Sequence, residues 1–114
     1  MSSVATRAAQ APVVAQEGRI TRSGVLLLQQ RIREALGTGH PKVVVDLRGA
    51  EFENPSTVSL FYAALCRLSR DGARLSVVGL SPHLRRVLEI CRYEGVEHHP
   101  TLAAARAGPR PFPQ

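Results

Sequence analysis

The sequence predicts an α/β domain with a mostly parallel sheet, and three observations carry that expectation. Apolar, β-branched runs at Val43–Leu47 and Leu75–Gly79 lack the in–out alternation of a half-exposed strand, which suits strands covered on both faces. Segments with apolar residues at helical spacing precede, separate and follow these runs. Residues that start and stop helices sit at the junctions. Strands alternating with helices imply parallel strands joined by right-handed crossovers, and 114 residues suffice for one such core but not for two.

The elements follow in order. Residues 1–11 are small, polar and alanine-rich, and read as a flexible tail, with a short edge strand at Val4–Arg7 as the alternative. Pro12–Ile20 reads as a strand, with Gly18 marking a bulge or turn near its end. Ser23 then offers an N-cap to a helix on which Val25, Leu28, Ile32 and Ala35/Leu36 share a face, and Gly37-Thr38-Gly39 stops it. After Pro41 comes the central strand Val43–Leu47. A second helix begins near Ser56, with Val58, Phe61, Tyr62, Leu65 and Leu68 at i, i+3, i+4, i+7 spacing, and Asp71-Gly72 ends it. Leu75–Gly79 is the next buried strand. Ser81 followed by Pro82 starts a third helix carrying Leu84, Val87, Leu88 and Cys91 on one face. A short strand around Val96 and an alanine-rich helix from Thr101 to Ala107 complete four or five strands and about four helices. One domain over 12–107 is expected, with 108–114 as a disordered Pro-rich tail.

Composition and pattern exclude several functions. The longest apolar run, Leu60–Cys66, is far short of the roughly 18 residues a membrane span needs. No signal-like segment opens the chain, so a cytoplasmic protein with no membrane insertion is expected. Cys66 and Cys91 lie on apolar helix faces and are read as unpaired thiols. The formal charge of +6 hints at nucleic acid, but its position argues otherwise. Residues 1–37 carry +3, residues 38–59 carry −1 and residues 60–114 carry +4, with no basic run and few aromatics for stacking. Direct nucleic-acid binding is therefore not expected.

Known chemistries find no constellation either. Gly37-Thr38-Gly39 follows a helix, whereas a phosphate cradle needs glycines leading into a helix N-terminus. His40, His83, His98, His99 and Cys91 lack the paired spacing of a metal site, so neither metal nor cofactor is expected. No set of Ser, His and Glu stands out for acyl or glycosyl transfer, and the chain is not expected to be an enzyme.

One segment does stand out. Arg48 to Thr57 links the central strand to the second helix, and Pro55 biases Asn54 toward extended geometry so that the chain turns sharply into the helix. Ser56 would then cap the helix. It would also place a hydroxyl at the positive end of a helix, on the carboxyl edge of a parallel sheet where α/β proteins usually carry their sites. Phosphate there would put about two negative charges on an interaction surface. The only net-negative stretch, with Glu51 and Glu53, leads directly into this candidate switch.

Three stretches resemble the STAS domain family, which includes bacterial anti-sigma-factor antagonists and the cytoplasmic tails of sulphate transporters. Val43-Val44-Val45-Asp46-Leu47-Arg48-Gly49 is similar to the family's central strand and following turn. Phe52-Glu53-Asn54-Pro55-Ser56-Thr57-Val58 lies where the family has a Phe-x-Asp-Ser-Ser-Gly-Leu pattern. Val77–Pro82 through Arg86–Glu89 resembles its last strand and third helix, and Gly18-Arg19-Ile20-Thr21 matches before the first helix.

The resemblance implies a STAS-like fold and a non-enzymatic binding module. In the antagonists, the dephosphorylated protein binds an anti-sigma factor that is also a serine kinase of the histidine-kinase-like ATPase type. Phosphorylation of the motif's second serine breaks the complex, and a serine phosphatase is a further partner the resemblance allows. Ser56 falls at that serine, with Thr57 as an adjacent acceptor. The implied partner surface comprises Asn54, Pro55, Ser56, Thr57, Ser59, Tyr62, His83 and Arg86, although Tyr62 also fits the core. Asn54 replaces the motif's Asp, Pro55 its first serine and Thr57 its glycine. These departures keep open a phosphate-independent STAS scaffold, or a ligand-sensing subunit of a larger complex or transport system.

Overall fold

The computed structural model describes residues 11–82, 85–86 and 96–106. Both expected tails, the edge strand at Val4–Arg7, and His83, Leu84, Val87, Leu88 and Cys91 of the third helix lie outside these residues, apart from Ala11. The elements are β1 (Val13–Ile20), α1 (Arg22–Leu36), β2 (Lys42–Phe52), α2 (Pro55–Arg70), β3 (Arg74–Val78), β4 (Val96–His99) and α3 (Leu102–Arg106). Pro82, Arg85 and Arg86 are helical, and the Arg85 N–H donates to the Ser81 carbonyl at 3.0 Å, as expected of a helix begun at Ser81-Pro82.

The four strands form one parallel sheet in the order β1-β2-β3-β4. Right-handed crossovers that always step to the next strand in the same direction leave their helices on one face. The core follows that rule. Val14, Val43, Val45, Leu47, Leu75, Val77 and Val96 of the sheet meet Val25, Leu28 and Ile32 of α1 and Phe61, Tyr62, Leu65 and Leu68 of α2. The opposite face carries a smaller cluster in which Ala105 of α3 packs on Ala11, Val44 and Val78. Because alternate β2 residues serve different faces and both are covered, the run Val43–Val45 reads as continuous apolar sequence.

That second face also bears charge. Glu97 accepts from Arg74 at 3.3 Å and lies 3.0 Å from the His99 ring nitrogen, while Lys42 Nζ stands 4.0 Å away with no hydrogen-bond partner among the described residues. Burial pushes the Lys42 ammonium below its ordinary pKa, and Glu97 opposes the shift. Burial would raise the Glu97 carboxyl, but hydrogen bonds from His99 and Arg74 and the charge of Lys42 bring it below its usual range.

β2 is longer than expected. The stretch Arg48–Phe52, read from the sequence as part of a loop, continues the strand and pairs with β1 from Glu17↔Gly49 to Ile20↔Phe52. The bulge also falls elsewhere than expected. Ala15 pairs with Asp46 and Glu17 with Gly49, so Leu47 and Arg48 of β2 together oppose Gln16 of β1. Gly18 does adopt a left-handed φ of 80°, but the extra residue is on its partner. The Asp46 carboxylate stabilises this kink by accepting from the Arg48 backbone N–H at 3.1 Å and from its guanidinium at 2.9 and 2.8 Å. The hydrogen bond from the Arg48 side chain holds Asp46 below the usual carboxylate range. Gly79, just past β3, crosses close over the bulge, and a Cβ there would lie 2.5 Å from the Arg48 nitrogen.

Cys66 is a half-buried free thiol on α2, and burial raises its pKa against the opposing charge of Arg70. No described helix is long and apolar enough to cross a membrane.

Candidate functional site

The site grows from the register of two strand ends. Ile20 pairs with Phe52, and the Glu53 N–H donates to the Ile20 carbonyl at 3.0 Å, so β1 and β2 end side by side. Two residues beyond Ile20, α1 begins; three beyond Phe52, α2 begins. Both helix N-termini therefore open onto the carboxyl edge of the sheet, the usual position for a site in a parallel α/β fold.

Each helix is capped earlier than the sequence suggested. Thr21, not Ser23, caps α1: its backbone is extended, and its hydroxyl accepts from the Gly24 N–H at 3.1 Å. Asn54, not Ser56, caps α2, its Oδ1 accepting from the Thr57 N–H at 3.0 Å, with Pro55 at the first helical position. The Thr57 hydroxyl donates to the same oxygen at 3.0 Å. Thr57 is only 3% exposed, which corrects its reading as a surface residue and an alternative phosphate acceptor. Its hydroxyl is committed beneath the helix start. Relieved of capping, Ser56 stands exposed at the second helical position.

Arg22, Glu53, Asn54, Ser56, Ser59 and Leu60 line an open cleft of about 450 Å³ between the two helix starts. Ser59 lies one turn beyond Ser56 and is exposed. Neither helix has an acidic side chain in its first turn, so both positive ends face the cleft without that usual complement. Glu53 supplies the cleft's carboxylate. Glu51 lies outside the cleft, exposed on β2 opposite Arg19.

Tyr62 belongs to the interior. It is fully buried, its hydroxyl lies 3.2 Å from His98 Nε2, its ring stacks on that histidine at 5.9 Å, and Phe61 meets it edge-on at 5.1 Å. Its expected place on a partner surface is therefore wrong, because the i+4 turn from Val58 brings position 62 beneath α2 against β4. Arg86 is exposed in the helical turn after Pro82, and it does not line the cleft. His83 lies outside the described residues. Sequence reasoning missed Arg22 and the exposed pair Leu26 and Leu27, which are 62% and 68% exposed on α1. The available signal was the run Leu26-Leu27-Leu28, of which the core period needs only Leu28.

A parallel sheet with the crossover helices α1 and α2 on one face, and an open polar cleft at its carboxyl edge, defines a small α/β domain. The family model described as Mlab, STAS domain, matches residues 3–102, and the chain belongs to the STAS domain family. Among solved structures, it is similar to the anti-sigma factor antagonist SpoIIAA in its unphosphorylated form, with 18% identity, a TM-score of 0.58, and 81% of each chain covered. The Bacillus cell fate determinant SpoIIAA in the phosphorylated form is also similar, with 18% identity, a TM-score of 0.56, and 81% of this chain and 85% of that one covered. A search of curated proteins finds no match.

Proposed function

We propose that the chain is a non-catalytic regulatory protein acting as an anti-sigma factor antagonist in the cytoplasm. It binds an anti-sigma factor that is also a serine kinase of the histidine-kinase-like ATPase type, and phosphorylation of Ser56 controls the complex. The observation that carries this reading is the standing of Ser56: the exposed hydroxyl of the Asn54–Thr57 motif, free of capping duty, at the mouth of the cleft. Similarity of fold to an antagonist solved in both unphosphorylated and phosphorylated forms supports it.

In the proposed cycle the kinase moves the γ-phosphoryl group of ATP to Ser56 Oγ, with loss of the hydroxyl proton and release of ADP. The phosphate adds roughly 1.5 to 2 negative charges to a surface the partner must desolvate. A serine phosphatase restores the hydroxyl by hydrolysis. The altered motif supports a second reading, a phosphate-independent STAS scaffold or a ligand-sensing subunit of a larger complex or transport system. Pro55 stands where the family's first serine would be and offers neither hydroxyl nor backbone N–H.

Incubation with the cognate kinase and ATP, followed by mass-spectrometric mapping, separates the two. Phosphate on Ser56 is the expected result. No incorporation, or incorporation only at another hydroxyl such as Ser59, overturns control through Ser56.

A further inference from the structure

We infer that Arg22 is an internal receptor for the phosphate on Ser56, so that modification ties the start of α1 to the start of α2. The inference rests on the reading of Ser56 as the modified residue, and it adds a partner within the chain itself. Three observations carry it.

The first is placement. The pairing Ile20↔Phe52 and the Glu53–Ile20 hydrogen bond fix where the two helices begin, and Arg22 and Ser56 line the same cleft. Packed helix axes lie roughly 8–10 Å apart, a gap that a long guanidinium side chain and a phosphoserine can close from opposite sides. The second is the electrostatic position of Arg22. It is a cation at the first position of α1, where the helix dipole disfavours positive charge. Among the described residues it makes no ion pair, although Arg48 and Arg74 each find a carboxylate. The third is the charge balance of the cleft. Arg22 and Glu53 roughly cancel in the unmodified protein, and neither helix carries an acid in its first turn. A phosphate outweighs the single Glu53 carboxylate and meets two helix N-termini besides the guanidinium.

The consequence is a switch with two parts. Before modification, Arg22 is available to an acidic group on the partner. After it, the guanidinium is occupied by the phosphate, and the partner loses a contact as well as meeting a new charge.

The test uses full-length protein carrying phosphoserine at position 56, installed during translation so that no kinase is needed. The second ionisation of the phosphate is followed by phosphorus NMR as pH is varied. Because a cation favours the dianion, the expected pKa lies below the ordinary value of about 6. In Arg22→Ala it should rise by about half a pH unit or more, with Arg22→Lys in between, and 1 M salt should shrink the difference. Identical titrations in the parent and in Arg22→Ala overturn the proposal. Failure of the kinase to modify Ser56 would leave this titration unaffected, so the two claims fail separately.

Discussion

Ser56→Glu is expected to weaken binding of the proposed anti-sigma factor/serine kinase at least a hundredfold, about 2.7 kcal/mol, while Ser56→Ala stays within about threefold of the parent. Ser56 makes no capping bond and is exposed, so neither change removes a contact that the fold uses. A carboxylate at the second position of α2 is favoured by the helix dipole, and thermal stability should hold or rise slightly. The loss must then arise at the interface, where an unpaired charge would be buried against the partner. Isothermal titration calorimetry of both variants, beside their melting curves, checks the pair of expectations. Equal affinities for Ser56→Glu and the parent would remove Ser56 from the contact surface.

The largest effect on folding is expected at Gly79, which does not line the cleft. Its φ is +97°, and a Cβ would come within 2.5 Å of the Arg48 nitrogen and 2.7 Å of the Arg48 Cα, both backbone atoms that move only with β2. Left-handed geometry alone costs an alanine roughly 1–2 kcal/mol. The clash adds to it, and Gly79→Ala should lose about 2–4 kcal/mol in urea unfolding, a large share of the 5–15 kcal/mol that holds a domain together. Gly18→Ala supplies the comparison: its φ is +80°, but nothing lies within 4 Å of the added atom, so only the backbone cost of roughly 1–2 kcal/mol applies. Similar losses at the two glycines would contradict the close crossing of the β2 bulge. The effect should also reach the site, since β2 beyond the bulge leads through Phe52 to Glu53 at the cleft.

The parts of this molecule that were legible in the sequence are those set by burial. Val43–Val45 and Leu75–Val78 announced two-sided strands, and Val25, Leu28, Ile32, Phe61, Leu65 and Leu68 announced the faces of two helices. Tyr62 was legible too, since its spacing placed it with the core, and only the family resemblance drew it toward the surface. What escaped depends on a choice among residues with equal local chemistry. Thr21 and Ser23, or Asn54 and Ser56, are all competent caps, and the register of β1 on β2 selects the earlier one by fixing where each strand ends. The second half of β2 was hidden by Gly49 and by charges that face solvent, although Ala50 and Phe52 alternate with Gly49 and Glu51 as a strand requires. Arg22 was invisible for another reason: its significance lies in a cleft formed with a segment some thirty residues away, and no local pattern marks that.

The central claim is that this chain works through the carboxyl edge of its sheet, where α1 and α2 begin. Amide-resolved NMR of the protein with and without the proposed anti-sigma factor/serine kinase tests it most directly. The expected perturbations lie at Asn54–Leu60 and at Arg22–Leu27, with the opposite sheet face around Lys42, Ser76 and Glu97 unchanged. Perturbations centred on Lys42, Ser76 and Glu97, with the cleft silent, would contradict the account.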